Sequence, residues 1–374
     1  MVEVILVTSS SVVYEPRIEK VVRSLHKKYS LSVIGWNRDG ITKKEIDDYF
    51  VDLKLFNLKT PFWKPSLLRM FVRLIGFLSL FWIWVFIRLL ISRPNIVHSC
   101  DLDTMLPCYL YKTLFRKKLL FEVIDRYAMI YVPTKFKRLY SLAISIEEQF
   151  AKKSDVLVVA GGQKVLDTFG KKPKFSYVVM NCSTDSTNTS TRKKRKFDEF
   201  TLIYTGLIRE NRSLDSIASS IRTMEGTLFL LAGAIYDNDL FKRLMENPKV
   251  RYLGKLRPND ALELEAISDV MVALYDLRDP QNIYVIPNKV LEALMCGIPV
   301  ISNAAPDFIR QIDCGILVEY DNVNQISGAI KELKQNTELR QRLGMNGRKA
   351  FVEKYNWDRM EEKLYEIYAN LLKK

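Results

Sequence analysis

The sequence predicts an α/β protein of two tandem domains, each built on a parallel sheet, and three observations carry that prediction. Short apolar runs rich in Val, Ile and Leu alternate with helical stretches of about ten residues or more, the pattern of βαβ units. The 374 residues suffice for two domains, each able to bury its own core. The stretch 184–196, TDSTNTSTRKKRK, interrupts the alternation near the middle, and its composition cannot build a core.

In the first half, Val2–Val7 reads as a strand and Pro16 to Lys28 carries helical spacing. Leu31–Ile34 and Val51–Phe56 follow as strands. After a long apolar helix come the strand Asn95–His98, a helix from Thr104, and the strand Lys118–Val123. A helix over Lys135–Lys152 then leads to strands at Asp155–Val159 and Ser176–Val179. Beyond the polar stretch, strands are expected at Thr201–Tyr204, Thr227–Leu231, Val250–Tyr252, Asp269–Leu274, Pro299–Ile301 and Gly315–Val318. The tail from Thr337 to Lys374 reads as helical throughout. In such sheets ligands bind beyond the carboxyl ends of the strands, so a cleft between the domains is the expected site.

Composition narrows the partners. With 57 Lys and Arg against 43 Asp and Glu, the chain carries a net charge of +14, which favours anions: nucleic acid, phosphorylated small molecules or acidic lipid. Five scattered cysteines and two histidines form no metal-ligand spacing and no disulfide framework, and a reducing compartment fits them. MVEVILV opens as a strand without the basic and long apolar regions of a signal peptide. The basic RKKRK is read as a solvated loop rather than a nucleic-acid contact.

Leu74 to Ile87, LIGFLSLFWIWVFI, is a fourteen-residue apolar run. Spanning a bilayer takes roughly 20 residues, so two readings stay open: a helix buried under a sheet, or an interfacial helix. In the second, Lys59, Lys64, Arg69, Arg73, Arg88 and Arg93 lie near lipid phosphates, so that the segment 69–93 meets an anionic membrane surface.

Two stretches carry chemistry. In Pro287 to Ser302, PNKVLEALMCGIPVIS, Pro287 suits a first helical turn, whose free N–H groups can hold a phosphate. Lys289 adds a point charge, and Glu292, four residues after Asn288, can accept two ribose hydroxyls. In Tyr204 to Leu214, YTGLIRENRSL, Gly206 is followed by Arg209 and Arg212 at a strand's carboxyl end, a diphosphate clamp. Asp101-Leu-Asp103 is formally a metal-chelating DxD triplet, but it opens a helix after a strand, and no metal is assigned to it.

These pieces, with Ser268-Asp269 before an apolar strand, resemble the family 4 glycosyltransferases of the GT-B fold. In the N-terminal half, Tyr14-Glu15-Pro16-Arg17 resembles the family's Asp-Pro-Arg, and Arg93-Pro-Asn-Ile-Val-His-Ser-Cys-Asp101 its Lys-Pro-Asp-Ile-Ile-His-x-His-Asp. Val178-Val-Met-Asn181 is similar to its Val-x-Asn before the hinge, and Trp357 to the aromatic that begins its last helix. The resemblance implies two Rossmann-like domains facing a cleft: 1–183 for the acceptor, 184–197 as linker, and 198–356 for the nucleotide sugar. It also implies that 357–374 forms a helix crossing back to the first domain.

The implied activity is hexosyl transfer with retention from a UDP- or GDP-sugar, without metal or other cofactor. Arg212, helped by Arg209, neutralises the diphosphate and Glu292 binds ribose. Gly206, Tyr284 and the backbone of Ile286, Pro287, Asn288 and Lys289 complete the donor site. Asp101 and His98 are the candidates for orienting or deprotonating the acceptor hydroxyl, with Ser10, Arg17 and Asp125 on the acceptor side. Tyr284 stands where the family has the first of two glutamates, and Leu207 where many members have Arg. The expected setting is the inner face of the cell membrane, peripherally, with a glycan or lipid-linked acceptor and no nucleic acid. A catalytically degenerate scaffold subunit and a sugar-nucleotide epimerase are the alternatives.

Overall fold

The computed structural model describes residues 2–10, 15–38, 40, 42, 49–58, 76–132, 136–185 and 197–373. Tyr14, Lys59, Lys64, Arg69, Arg73, Leu74 and most of the stretch 184–196 lie outside them. The chain divides into two compact units, one made of Met1–Met180 with Glu361–Lys374, the other of Asn181–Met360.

The first unit begins with β1 (Glu3–Val7), α1 (Pro16–His26), β2 (Ser30–Trp36) and β3 (Asp52–Phe56). It continues with α2 (Leu78–Ser92), β4 (Ile96–Cys100), α3 (Leu102–Phe115) and β5 (Lys118–Val123). After α4 (Tyr127–Tyr131) and α5 (Lys137–Lys153) come β6 (Val156–Val159), α6 (Gln163–Asp167) and β7 (Ser176–Val178). The strands form one sheet in the order β3-β2-β1-β4-β5-β6-β7, every pair parallel. Central strands are buried, β4 from end to end and β1 from Val4 to Val7, as a sheet covered on both faces requires.

Topology assigns the helices to faces. Parallel crossovers are right-handed, so connections stepping in opposite directions along a sheet lie on opposite sides of it. The step from β1 to β2 puts α1 on one side; the steps β3 to β4, β4 to β5 and β5 to β6 put α2, α3 and α5 on the other. Leu78, Phe81, Val85 and Leu89 bury one stripe of α2 against the sheet. The opposite stripe, Leu80, Ile83, Ile87 and Ile91, is exposed. The reading of a helix buried under a sheet therefore holds for one stripe, while the other stripe is apolar and exposed. No helix among the described residues is long and apolar enough to cross a membrane.

The second unit holds β8 (Phe200–Thr205), α7 (Leu214–Ile221), β9 (Thr227–Ala232), α8 (Asn238–Met245) and β10 (Val250–Tyr252). Then come α9 (Pro258–Ala266), β11 (Val270–Ala273), α10 (Pro280–Tyr284), α11 (Asn288–Cys296) and β12 (Val300–Ser302). It closes with α12 (Pro306–Ile312), β13 (Gly315–Leu317), α13 (Val323–Gln335) and α14 (Thr337–Glu353). Its parallel sheet runs β10-β9-β8-β11-β12-β13. Leu202, Ile217, Phe229, Val272, Ile301 and Ile330 are among the residues of its core.

The helical tail is two helices, and the second begins at Trp357, where the resemblance placed the last helix. After α14, Asn356 caps α15 (Trp357–Leu372), its Oδ1 accepting from the Arg359 N–H at 3.0 Å, and a capping side chain of this kind ends one helix and starts another. Beyond Met360, α15 belongs to the first unit. Lys27 pairs with Glu361 at 2.8 Å and the Tyr365 hydroxyl donates to the Ser24 carbonyl at 2.8 Å.

Candidate functional site

Each sheet reverses its strand order once, between β1 and β4 in the first unit and between β8 and β11 in the second. Loops leave the carboxyl ends of strands in opposite directions there, opening a crevice.

In the second unit the loop after β8 carries Gly206, Arg209 and Arg212. It is pinned to the loop after β9: the Gly206 N–H donates to Ala232 and the Ile208 N–H to Ala234, at 2.8 and 2.9 Å. The loops touch where Gly233, at φ +142°, meets Gly206; a Cβ on Gly233 would lie 1.8 Å from the Gly206 carbonyl oxygen. Gly233→Ala is therefore expected to displace the arginine loop and destabilise the unit by about 2 kcal/mol or more. An unchanged urea midpoint together with unchanged nucleotide affinity would count against this close approach.

Arg209 opens a single 3-10 turn, Glu210–Arg212. The Arg212 guanidinium lies 4.4 Å from the Tyr275 ring centroid, beyond the end of β11. Burial lowers the acidity of the Tyr204 phenol, and the positive charges of Arg212, Lys289 and Arg209 partly offset this, so two arginines of one loop and a lysine far along the chain act on one hydroxyl. Burial and neighbouring Arg212 weaken the hold of Arg209 on its proton, and its buried Nε has no hydrogen-bond partner. An anion there would satisfy both arginines.

Pro287 caps α11 rather than sitting in its first turn, and Gly297 closes the helix at φ +68°. The helix still points its free N–H groups, dipole end and Asn288 toward the same end. Lys289 bonds Glu292 on its own helix and reaches Glu265 of α9 at 3.3 Å. Ile286 and Tyr284 are half-buried on the segment leading into the helix.

Glu265 escaped sequence reasoning, since no motif surrounds it. It is fully buried, accepts from the Thr205 hydroxyl at the end of β8, and its Oε2 has no partner. Burial first, then the charge of Glu292, pushes its carboxyl up to about 7 against the pull of Lys289 and Thr205. A raised acid stabilises the fold when protonated. That contribution is complete below pH 4.5 and is lost as pH rises through about 7. Wild-type stability should thus fall relative to Glu265→Gln between pH 5 and 8, by about 3 kcal/mol at most. Parallel urea-unfolding profiles of the two proteins would sink this assignment.

In the first unit, the carboxyl ends of β1 and β4 bring together Ser9, Ser10, Asp101 and Asp103, with Asp125 after β5. Asp101 is a non-glycine residue at φ 62° whose Oδ1 accepts from the Ile124 N–H at 2.9 Å. Such a conformation costs about 1–3 kcal/mol and persists only where the surroundings impose it. Burial, then Asp103, holds the Asp101 carboxyl well above the usual carboxylate range, with the Ile124 N–H opposing and Asp125 and Glu122 adding. Ser9 donates to Asp103, and the Trp82 indole N–H donates to the Asp103 carbonyl at 2.6 Å, tying α2 to this edge.

Arg17 and His98 require correction. Both are fully buried, so neither presents a polar group to an acceptor. The Arg17 guanidinium pairs with Glu122 and donates to the Met180 carbonyl at 3.0 Å. His98 has both ring nitrogens engaged, Nε2 with Glu122 at 2.7 Å and Nδ1 with the Tyr368 hydroxyl at 2.9 Å. Their motif positions are occupied by an interior network joining α1, β4, β5 and α15. His98, Cys100 and Glu122 also lie close enough together to share a metal ion, but Glu122 is already neutralised by Arg17.

Residues 199–336 match the family described as glycosyl transferases, group 1. The chain is similar to the spore coat protein SA of Bacillus subtilis, 26% identical over 128 residues, 33% of each chain. It is also similar to a GDP-mannose-dependent monoacylated alpha-(1-6)-phosphatidylinositol monomannoside mannosyltransferase of Corynebacterium glutamicum, 24% identical over 221 residues. That match covers 53% of this chain and 57% of the relative, so the chain spans between a third and three-fifths of these two proteins. In fold it resembles Anabaena HepE, solved in complex with UDP, with a TM-score of 0.74 at 13% identity over 99% of this chain and 100% of that one.

Proposed function

We propose that the chain is a group 1 glycosyltransferase of the GT-B fold and transfers a hexose from a nucleotide sugar, with retention, to a glycan or lipid-linked acceptor at a membrane surface. The observation that carries the proposal is the gathering of Arg209, Arg212 and Lys289 beyond the end of β8, with a buried Arg209 Nε that no protein group satisfies. Arg209 and Arg212 hold the diphosphate, the Ile286–Asn288 backbone and the start of α11 cradle phosphate and sugar, and Glu292 takes the ribose hydroxyls. Lys289 positions Glu292 as well as adding charge. As the sugar leaves, negative charge grows on the departing diphosphate, and these fixed positive groups stabilise it without a metal.

On the acceptor side the role falls to Asp101 rather than His98. A carboxyl with a raised pKa is a stronger base once ionised, and Ser10 and Asp125 lie at the same sheet edge. The relatives support both halves of the reading: one is named for GDP-mannose and a phosphatidylinositol acceptor, and one was solved with UDP. A peripheral place on the inner face of the membrane suits such an acceptor and the exposed stripe of α2. The second reading, a scaffold subunit without turnover, is favoured by Tyr284 alone.

Calorimetric titration with UDP and with GDP, without added metal, tests the donor site. Micromolar binding of one nucleotide, lost in Glu292→Ala, is the expected result. Binding of neither, in a folded protein, would remove the donor assignment, and nucleotide binding without donor hydrolysis would favour the scaffold.

A further inference from the structure

Every exposed large hydrophobic of the first unit except Leu372, among the described residues, belongs to α2, α3, α4 or α5; α1 has none. Ile83, Ile87 and Ile91 on α2, Leu110 and Leu114 on α3, and Leu142 on α5 belong to helices that topology places on one side of the sheet. Ile91 and Leu114 are 67% and 65% exposed, although a protein surface seldom gathers so many aliphatics without a partner.

The same layer holds a basic cavity of about 380 Å³ at the amino edge of the sheet, where α3 and α5 end and β5 begins. Lys112, Arg116, Lys117, Lys118 and Lys153 line it, with Asp155 as the one acidic residue in its wall. Lys112 takes up Asp155 at 3.3 Å. Lys153 lies 5.3 Å from the ring centroid of Tyr109, which also lines the cavity. No carboxylate among the described residues pairs with Arg116, Lys117, Lys118 or Lys153. Leu114 and Phe115, both exposed, directly precede Arg116, so the aliphatic surface runs up to the rim of the cavity.

We propose that this cavity binds the phosphate of an anionic lipid headgroup while the aliphatic faces of α2 and α3 enter the acyl region beside it. The inference rests on the membrane-surface reading of the function and adds a discrete site that the segment 69–93 does not contain. Charge complementarity and aliphatic side chains together select a lipid. Tyr109 and Phe115 are the aromatics beside the cations, whereas the exposed surface that continues over α2, α3 and α5 is aliphatic, the chemistry of an acyl layer rather than of base stacking.

The test is flotation of the full chain with vesicles of phosphatidylcholine alone and of phosphatidylcholine with phosphatidylglycerol. The chain is expected to float with the anionic vesicles and much less with the neutral ones. Arg116→Gln/Lys117→Gln should raise the half-saturating lipid concentration roughly thirtyfold, about fivefold for each cation removed. Nucleotide affinity should not change, because the donor residues belong to the other unit, and an unchanged urea-unfolding profile certifies the fold of the first. Ile87→Ser/Leu114→Ser should weaken flotation with both vesicle types.

Anionic binding that survives Arg116→Gln/Lys117→Gln unchanged would overturn the cavity and leave the membrane reading standing. No flotation with either vesicle would overturn both. Equal flotation with neutral and anionic vesicles would overturn the headgroup site. Dimerisation in the absence of lipid, abolished by the Ser substitutions, would assign the aliphatic layer to a second copy instead.

Discussion

Glu122→Ala is expected to cost the first unit about 3–5 kcal/mol, the loss typical of a buried ion pair stripped of one partner. Arg17 would lose its buried carboxylate, and His98 would lose the partner of its Nε2. Burial pushes the Glu122 carboxyl up, but Arg17 and His98 more than offset this and bring it to about 2 from 4.5. A depressed acid stabilises the fold when ionised. The contribution is present above pH 4.5 and is lost as pH falls through about 2; it amounts to about 3 kcal/mol. Acid titration of stability by urea unfolding, compared with Glu122→Gln, reads it directly. If the two profiles stay parallel between pH 5 and 2, the network does not carry this linkage.

The second large effect is at the donor site. Arg212→Ala and Arg209→Ala are each expected to weaken nucleoside diphosphate binding roughly 10–100-fold, the worth of hydrogen bonds to a charged group. Transfer should fall further than binding, because these cations meet more charge in the transition state than in the bound donor. Lysine should rescue either position poorly, since an ammonium cannot reproduce the planar, forked donors of a guanidinium. Affinity within twofold of wild type in Arg212→Ala would take that residue out of the site.

How much of this was legible in the sequence varies from residue to residue. The central strands of both sheets read most clearly, because a strand buried on both faces is a run of Val, Ile and Leu that little else imitates. The break at Asn356 was legible only through the resemblance at Trp357, because helical periodicity continues on either side of it and only the cap geometry marks the change. The apolar run before Arg88 could not be resolved into sides: when nearly every residue is apolar, hydropathy carries no period, and only the fold says which stripe is covered. The proposed donor residues were picked out by spacing and by the resemblance, since Lys289 and Glu292 share the helix that Pro287 caps.

Arg17 and His98 were assigned from the motifs of the resemblance, and both are buried. A motif gives residue type and order, while burial depends on partners far along the chain, here Glu122, Met180 and Tyr368. Glu265 left no trace, because a lone glutamate in a helix reads as surface until Thr205 and Lys289 are brought against it.

The connection between the first unit and residues 361–373 has a consequence for synthesis. The second unit is an insertion in the first, so during translation all 180 residues of Asn181–Met360 emerge before the segment that supplies Tyr368. Until then the α1 side of the first sheet lacks its α15 cover, and the His98 Nδ1 has no hydroxyl to meet it. The unit that starts first therefore finishes second, and it waits on the ribosome with part of its interior open. That is the interval in which a chaperone or a wrong partner can reach it.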